Sequence, residues 1–358
     1  MLKDDAIEKI LREYDEKHSL YSAFTLKQQH LLAELLQERS FSPHSVTSRV
    51  KSRQSLKDKL NRTDADYAKL SDVTDVSGVR ITTYFHDEVD KVASYLDGEF
   101  EIVKEQSVDK RKILDADRFG YLSLHYIVKL SAERLKLTEY RRFPNLACEI
   151  QVRSILQHAW AEIEHDLGYK SRIEVPQPLR RRFSRLAGFL ELADEEFATI
   201  RDALSSYQKN LPKEIKASPA AVTLDKLSLA EFLKSNLVAQ KLDEQIASFF
   251  GAELWSDANV LENDLQMLSF FEIKTISDLE VSLNQHGEAV LKFAKLWINS
   301  KESRIGRGIC LLYLSYLLAA QTKSEAQAMR FLNTCSIGLE RDPIVKNIFD
   351  THALLDGE

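Results

Sequence analysis

Cysteine is scarce in this 358-residue chain, and Cys148, Cys310 and Cys335 stand far apart with no CxxC pair. That excludes a disulfide framework and a thiolate zinc site, and it suits a reducing compartment, so the cytoplasm is the expected location. Glycine and proline are also few, at 11 and 7, which excludes collagen-like and low-complexity classes. No long apolar run is present: the longest, Gly308–Ala320, falls short of the roughly 18 residues a membrane span requires. The first residues, MLKDDAIEKILREYDEK, are charged throughout and lack an apolar signal core. A soluble protein with no membrane partner is expected. No internal repeat is seen.

What is present is a globular composition, 44% hydrophobic and 29% charged, in a chain long enough for two domains. The net charge of −6 is unevenly placed. Residues 221–358 hold 13 basic and 19 acidic residues, whereas the first 220 balance at 36 of each. A neutral half that gathers its cations locally can hold phosphates, and a moderately acidic half is a poor nucleic-acid surface.

Apolar spacing over residues 4–38 predicts two helices. From 45 to 153 the pattern changes to short β-branched or aromatic runs, predicting strands at 45–51, 78–85, 100–108, 122–130 and 147–153, with helices at 52–60 and 87–96. Long helices follow at 155–169 and 179–207. Pro212 and Pro219 then predict a linker over 211–222, which divides a domain at 1–210 from a helical one at 223–358. The 308–320 run reads as a buried helix of that second domain.

Strand alternation sorts the chemistry-bearing residues to faces. In 148–153, Cys148, Ile150 and Val152 share one face while Glu149, Gln151 and Arg153 share the other. Asp75 stands at the entrance of a strand on which Arg80 points away from Val79 and Ile81. One carboxylate plus substrate phosphates is how Mg²⁺ is usually held, although an Asp that caps a turn would read the same. Arg49 and Lys51 precede a helix on which Ser55, Lys59 and Arg62 fall at i, i+4 and i+7, a stripe that suits a polyphosphate and equally a solvated basic face. No glycine-rich phosphate loop precedes Lys51. Tyr121 and His125 surround a turn at Gly120, where an aromatic can stack on a base or simply pack. His158, Glu162 and His165 have partial metal spacing, but HExxH is absent, and packing by Trp160 is the better reading.

Taken together, five ordered motifs resemble the synthetase domain of the RelA/SpoT family, bacterial enzymes that move pyrophosphate from ATP to the 3′ hydroxyl of GDP or GTP. They are Val46–Lys51 with Ser55 and Lys59, Asp75-x-x-Gly78-x-Arg80-Ile81, Gly120-Tyr121-x-Ser123-x-His125, Glu149–Arg153, and His158-Ala159-Trp160-Ala161 with Glu164-His165. The likeness covers about residues 20–172.

The resemblance implies an α+β fold, a nucleotidyltransferase-like mixed sheet flanked by helices, followed here by an all-α C-terminal domain. It implies that Arg49 and Arg80 sandwich the adenine of ATP. Lys51, Ser55, Lys59 and Arg62 would hold the phosphates, and Asp75 would bind Mg²⁺. Glu149 would share the ion or take the proton of the attacking hydroxyl, Tyr121 would stack on the acceptor base, and His125 and Gln151 would place the acceptor. The acceptor loop departs from the family pattern at Phe119 and Leu122, which makes it more apolar. A hydrolase half is not expected, since the His-Asp pairs at 86–87 and 165–166 fall inside synthetase segments. Two alternatives stay open. One is toxin-like pyrophosphorylation of the tRNA 3′ end, to which the basic run Arg180–Arg182 with Arg185 is suited. The other is an inactive nucleotide sensor. The C-terminal helices are expected to form a homo-oligomer or to bind a regulatory partner.

Overall fold

In the computed structural model the described residues are 2–62, 67–109, 123–164, 166, 177–255, 261–338 and 340–356. The chain divides into two compact units, Met1–Asp202 and Ala203–Glu358.

The first unit opens with one helix, α1 (Leu2–Glu38), rather than the two predicted. Residues 15–25 contain neither glycine nor proline, and Tyr21 and Phe24 carry the buried stripe of Ile7, Ile10, Leu11 and Tyr14 on to Leu31, Leu32 and Leu36 without a break. Next come β1 (Ser45–Val50), α2 (Arg53–Leu60), β2 (Ser77–Thr83) and α3 (Glu88–Asp97). The run predicted as one strand over 100–108 is broken into β3 (Phe100–Ile102), a 3-10 turn at Lys104–Gln106 and β4 (Val108–Asp109). Its polar centre supplies no apolar alternation to hold a continuous ladder. β5 (Leu124–Leu130), the short α4 (Ala132–Leu135), β6 (Cys148–Ser154) and α5 (Ile155–Glu164) follow.

The sheet has the order β1-β2-β6-β5-β3, with β4 also on β5. β2 and β6 run parallel, and the other pairs are antiparallel. One face is core: Val79, Ile81, Leu124, Cys148, Ile150 and Val152 are buried, packed with Phe24, Leu31 and Val92 from α1 and α3. Hydrogen bonds fix α1 to the sheet, from Gln29 Nε2 to the Val46 carbonyl at 2.8 Å and between the Thr25 and Ser77 hydroxyls at 2.8 Å.

Helix α6 (Gln177–Ala217) contains the division between the units and continues through Pro212, so most of the predicted linker is helical. A proline removes one N–H and crowds the carbonyl four residues back, yet Leu211 beside it is fully buried in the apolar core of the second unit. Packing outweighs the local penalty. The second unit then comprises α7 (Lys226–Ser235), α8 (Leu237–Phe250), α9 (Leu261–Phe270), α10 (Ile276–Trp297), α11 (Ile309–Gln321), α12 (Glu325–Thr334) and α13 (Arg341–Asp356). Asp225, Asn236 and Thr275 cap α7, α8 and α10. As read from the sequence, α11 is the buried centre, with Leu311, Leu314 and Leu317 at most 1% exposed. The unit is not purely helical, because β7 (Glu253–Trp255) and β8 (Arg304–Gly306) form a small parallel pair. No helix among the described residues is long and apolar enough to cross a membrane.

Candidate nucleotide site

The polar face of the sheet is organised in rows by strand register. Arg49, Gly78 and Glu149 lie side by side across β1, β2 and β6. The next row holds Thr47, Arg80, Gln151 and His125, the last from β5. Because directly opposed residues share a face, two basic groups, a carboxylate, an amide and an imidazole converge on a patch two rows deep. A cavity of about 180 Å³ opens there, lined by Thr47, Ser48, Arg49, Asp75, Gly78, Val79, Arg80, Glu149 and Gln151. Gly78 sits between Arg49 and Glu149, and a Cβ built on it would lie 3.7 Å from the Arg49 carbonyl oxygen. The missing side chain is what keeps the middle of the row open.

Asp75, just before β2, anchors two cations. Its carboxylate oxygens lie 3.0 Å from Lys51 Nζ and 3.0 Å from Lys59 Nζ. Lys51 follows β1, where Tyr14 Oη donates to its carbonyl at 2.5 Å. Lys59 comes from α2, whose N-terminus is capped by Ser52 accepting from the Ser55 amide. The Ser52 hydroxyl also donates to Ser55 Oγ at 2.9 Å. α2 ends at Leu60 with Asn61 as its cap, so Arg62 lies past the helix rather than on the predicted i+7 stripe.

Glu149 is the best-organised carboxylate. His125 Nδ1 donates to its Oε1 at 2.8 Å and Gln151 Nε2 to its Oε2 at 2.9 Å. Burial pushes the carboxyl up, but the hydrogen bonds from His125 and Gln151 and the nearby Lys59 charge outweigh it, and the pKa falls to about 2. Ser123 Oγ lies 2.6 Å from the other ring nitrogen of His125, which fixes the imidazole from both ends.

Alternation also put Arg153 on the polar face, yet the residue is only 4% exposed. Burial, and next the neighbouring Arg80 charge, lower its pKa to about 10. Glu162 of α5 answers both cations, at 2.9 Å from Arg80 and 3.4 Å from Arg153. Sequence reading missed this tie, because nothing in the helical spacing of Glu162 shows which strand residues it meets. Thr47 and Ser48 also line the cavity, and strand alternation puts Thr47 on the same face as Arg49. Trp160 packs edge-on against Phe183 of α6 at 5.5 Å, and the described residues contain no group of three metal-capable side chains. Tyr121, with Phe119, Gly120 and Leu122, lies outside the described residues, as does His165.

Cations and carboxylates gather on one face of the mixed sheet around an open glycine row, an arrangement on an α+β scaffold whose chemistry is suited to holding phosphates. The model of the region found in RelA and SpoT proteins matches residues 48–174. Two curated relatives come from Bacillus subtilis strain 168. GTP pyrophosphokinase YwaC is 30% identical over 163 residues, covering 43% of this chain and 71% of the relative. GTP pyrophosphokinase YjbM is 27% identical over 175 residues, covering 48% and 79%. Among solved structures, small alarmone synthetase 1 of B. subtilis bound to its product pppGpp aligns with a TM-score of 0.46 at 23% identity, over 54% of this chain and 99% of that one. The chain belongs to the RelA/SpoT family of pyrophosphokinases.

Proposed function

We propose that the protein transfers pyrophosphate from ATP to the 3′ hydroxyl of GDP or GTP, making a guanosine 3′-pyrophosphate alarmone. The observation that carries this reading is the shared cavity in which Asp75, Arg49, Arg80 and Glu149 meet. Family membership adds that two relatives are named GTP pyrophosphokinases.

In this reading the adenine lies between the guanidinium groups of Arg49 and Arg80, since planar guanidinium groups stack on flat rings. Lys51 and Lys59, held by Asp75 in the free protein, turn to the phosphates, and Ser55 and Arg62 extend that cationic wall. The donor set suits Mg²⁺: Asp75 and Glu149 are hard oxygen ligands on one cavity, and the ion commonly takes one or two carboxylates plus substrate phosphates. Bound there, Mg²⁺ would neutralise charge on the phosphates.

His125 and Gln151 place the acceptor, and Tyr121 offers its base a stacking face. The acceptor oxygen bonds to the β-phosphorus of ATP while the bond from that phosphorus to the α–β bridging oxygen breaks, and AMP leaves with the bridging oxygen. Glu149 is ionised throughout the physiological range and takes the proton released from the hydroxyl. A weak base suffices, because phosphoryl transfer passes through a loose transition state in which the catalytic demand is positioning and charge.

The test is incubation with γ-³²P-ATP and, separately, GDP, GTP or deacylated tRNA. Label on the guanine nucleotide supports the reading, whereas label on tRNA alone makes the exposed Arg181, Arg182 and Arg185 the better guide. AMP release from none of the three would leave a nucleotide sensor. Glu149→Gln should lower turnover by about 10²–10⁴-fold while ATP still binds.

A further inference from the structure

The reaction proposed above brings two purine nucleotides to one site, and the ATP end must turn away the guanine nucleotide that serves as acceptor. Stacking between Arg49 and Arg80 cannot do this, because a guanidinium face is attracted to any flat ring. Position 6 separates the two bases: adenine carries an amino donor there and guanine a carbonyl acceptor. A group that only accepts therefore favours adenine, and among side chains that group is an ionised carboxylate.

Among the described residues, the carboxylates that line the cavity or pair with its lining are Asp75, Glu149 and Glu162. Asp75 has one oxygen against each of Lys51 and Lys59. Glu149 has one against His125 and one against Gln151. Glu162 differs. Every contact it makes among the described residues runs through Oε1, at 2.9 Å from Arg80 Nη1, 3.4 Å from Arg153 Nη2 and 3.8 Å from His158 Nδ1. Its side chain is 54% exposed, which leaves Oε2 open to a donor from outside.

The position also fits. A guanidinium donates hydrogen bonds from its edge and stacks through its face, so the bond to Glu162 leaves the face of Arg80 open. A ring lying on that face, about 3.5 Å above it, brings its rim to the Glu162 carboxylate. Arg153, pulling on the same oxygen, is too buried to meet a base itself. Nor does His158 cancel the charge: burial, then the Arg153 and Arg80 charges, lower its pKa, and the ring is neutral at pH 7.

Building on the placement of ATP between Arg49 and Arg80, we propose that Glu162 selects the donor nucleotide. Its carboxylate accepts a hydrogen bond from the 6-amino group of adenine and repels the 6-carbonyl of guanine.

ATP, purine riboside triphosphate and inosine triphosphate, which carry an amino group, a hydrogen and a carbonyl at position 6, test this. With GDP as acceptor, release of the nucleoside monophosphate gives kcat/KM for each donor. Wild type should prefer ATP to purine riboside triphosphate by about tenfold, the size of one hydrogen bond to a charged group, and to inosine triphosphate by more. Glu162→Gln should shrink the preference for ATP over inosine triphosphate by about tenfold, because an amide also donates. Loss of the Arg80 tether alone would lower all three donors by one factor; unchanged ratios would therefore overturn the proposal. So would a wild type indifferent between ATP and purine riboside triphosphate. Calorimetric Kd values for the three nucleotides read the same ratios without turnover. A preference in binding with no monophosphate released from any donor would refute the transfer reaction and keep Glu162 in its role, whereas binding of none of the three would overturn both.

Discussion

Asp264→Asn should stabilise the helical unit at neutral and alkaline pH, and by an amount the structure sets. Asp264, on α9, is 3% exposed, and its Oδ2 has no hydrogen-bond partner among the described residues. Its neighbour Asp243, on α8, is fully buried but accepts from the Gly308 amide at 2.8 Å and the Cys310 amide at 3.0 Å, at the start of α11. Burial raises both carboxyls, while the two backbone donors and Arg307 support charge on Asp243. Burial and then the Asp243 charge push Asp264 from 3.8 to about 7. Between those values the unfolded chain has lost this proton and the folded chain keeps it, so stability falls as pH rises from about 4 to 7 and levels off above. Three pKa units at about 1.4 kcal/mol each make the cost about 4 kcal/mol at most. Asparagine keeps the shape without the charge, so a gain of about 2–4 kcal/mol is expected at pH 8 and little or none at pH 4. Urea unfolding of the full chain at both pH values, followed through Trp255 and Trp297 of the same unit, measures it. An equal effect at the two pH values, or destabilisation at pH 8, would refute the reasoning.

Glu162→Gln should raise KM for ATP about three- to tenfold with kcat nearly unchanged, because Arg80 loses its tether beside the buried like charge of Arg153; steady-state kinetics with ATP and acceptor varied separately would show it, and an equal rise in acceptor KM would count against it. Gly78→Leu should abolish detectable ATP binding by calorimetry while the fold persists, since the added side chain fills the row between Arg49 and Glu149; unimpaired binding would remove the glycine from its role. The folded-state pKa of Glu149 is depressed, so the charged carboxylate contributes stability that is complete above its ordinary 4.5 and lost as pH falls to about 2. The stability advantage of wild type over Glu149→Gln should therefore shrink across that window in acid denaturation, and a constant difference would contradict the assignment.

Much of the site was legible in the sequence because a strand's period of two is local. Glu149 and Gln151 on one face and Cys148, Ile150 and Val152 on the other follow from adjacent residues alone. The order of the five motifs was enough to indicate the family, and the buried character of α11 followed from its composition. Only the tertiary structure decided which residues meet across strands. The parallel register of β2 and β6 that sets Gly78 beside Glu149, the bond from His125 to Glu149, and the pairing of Asp75 with both lysines join residues 16 to 71 positions apart, and no local period encodes such distances. Tertiary packing also carried a helix through a place where a local signal suggested a break, at Pro212 of α6. It buried Arg153 on a face that alternation alone leaves to solvent, because a helix later in the chain supplies Glu162 to share its charge with Arg80. The sequence sorted side chains to faces, since that depends on neighbouring dihedrals. Which faces meet depends on long-range packing and emerges only when the chain is folded.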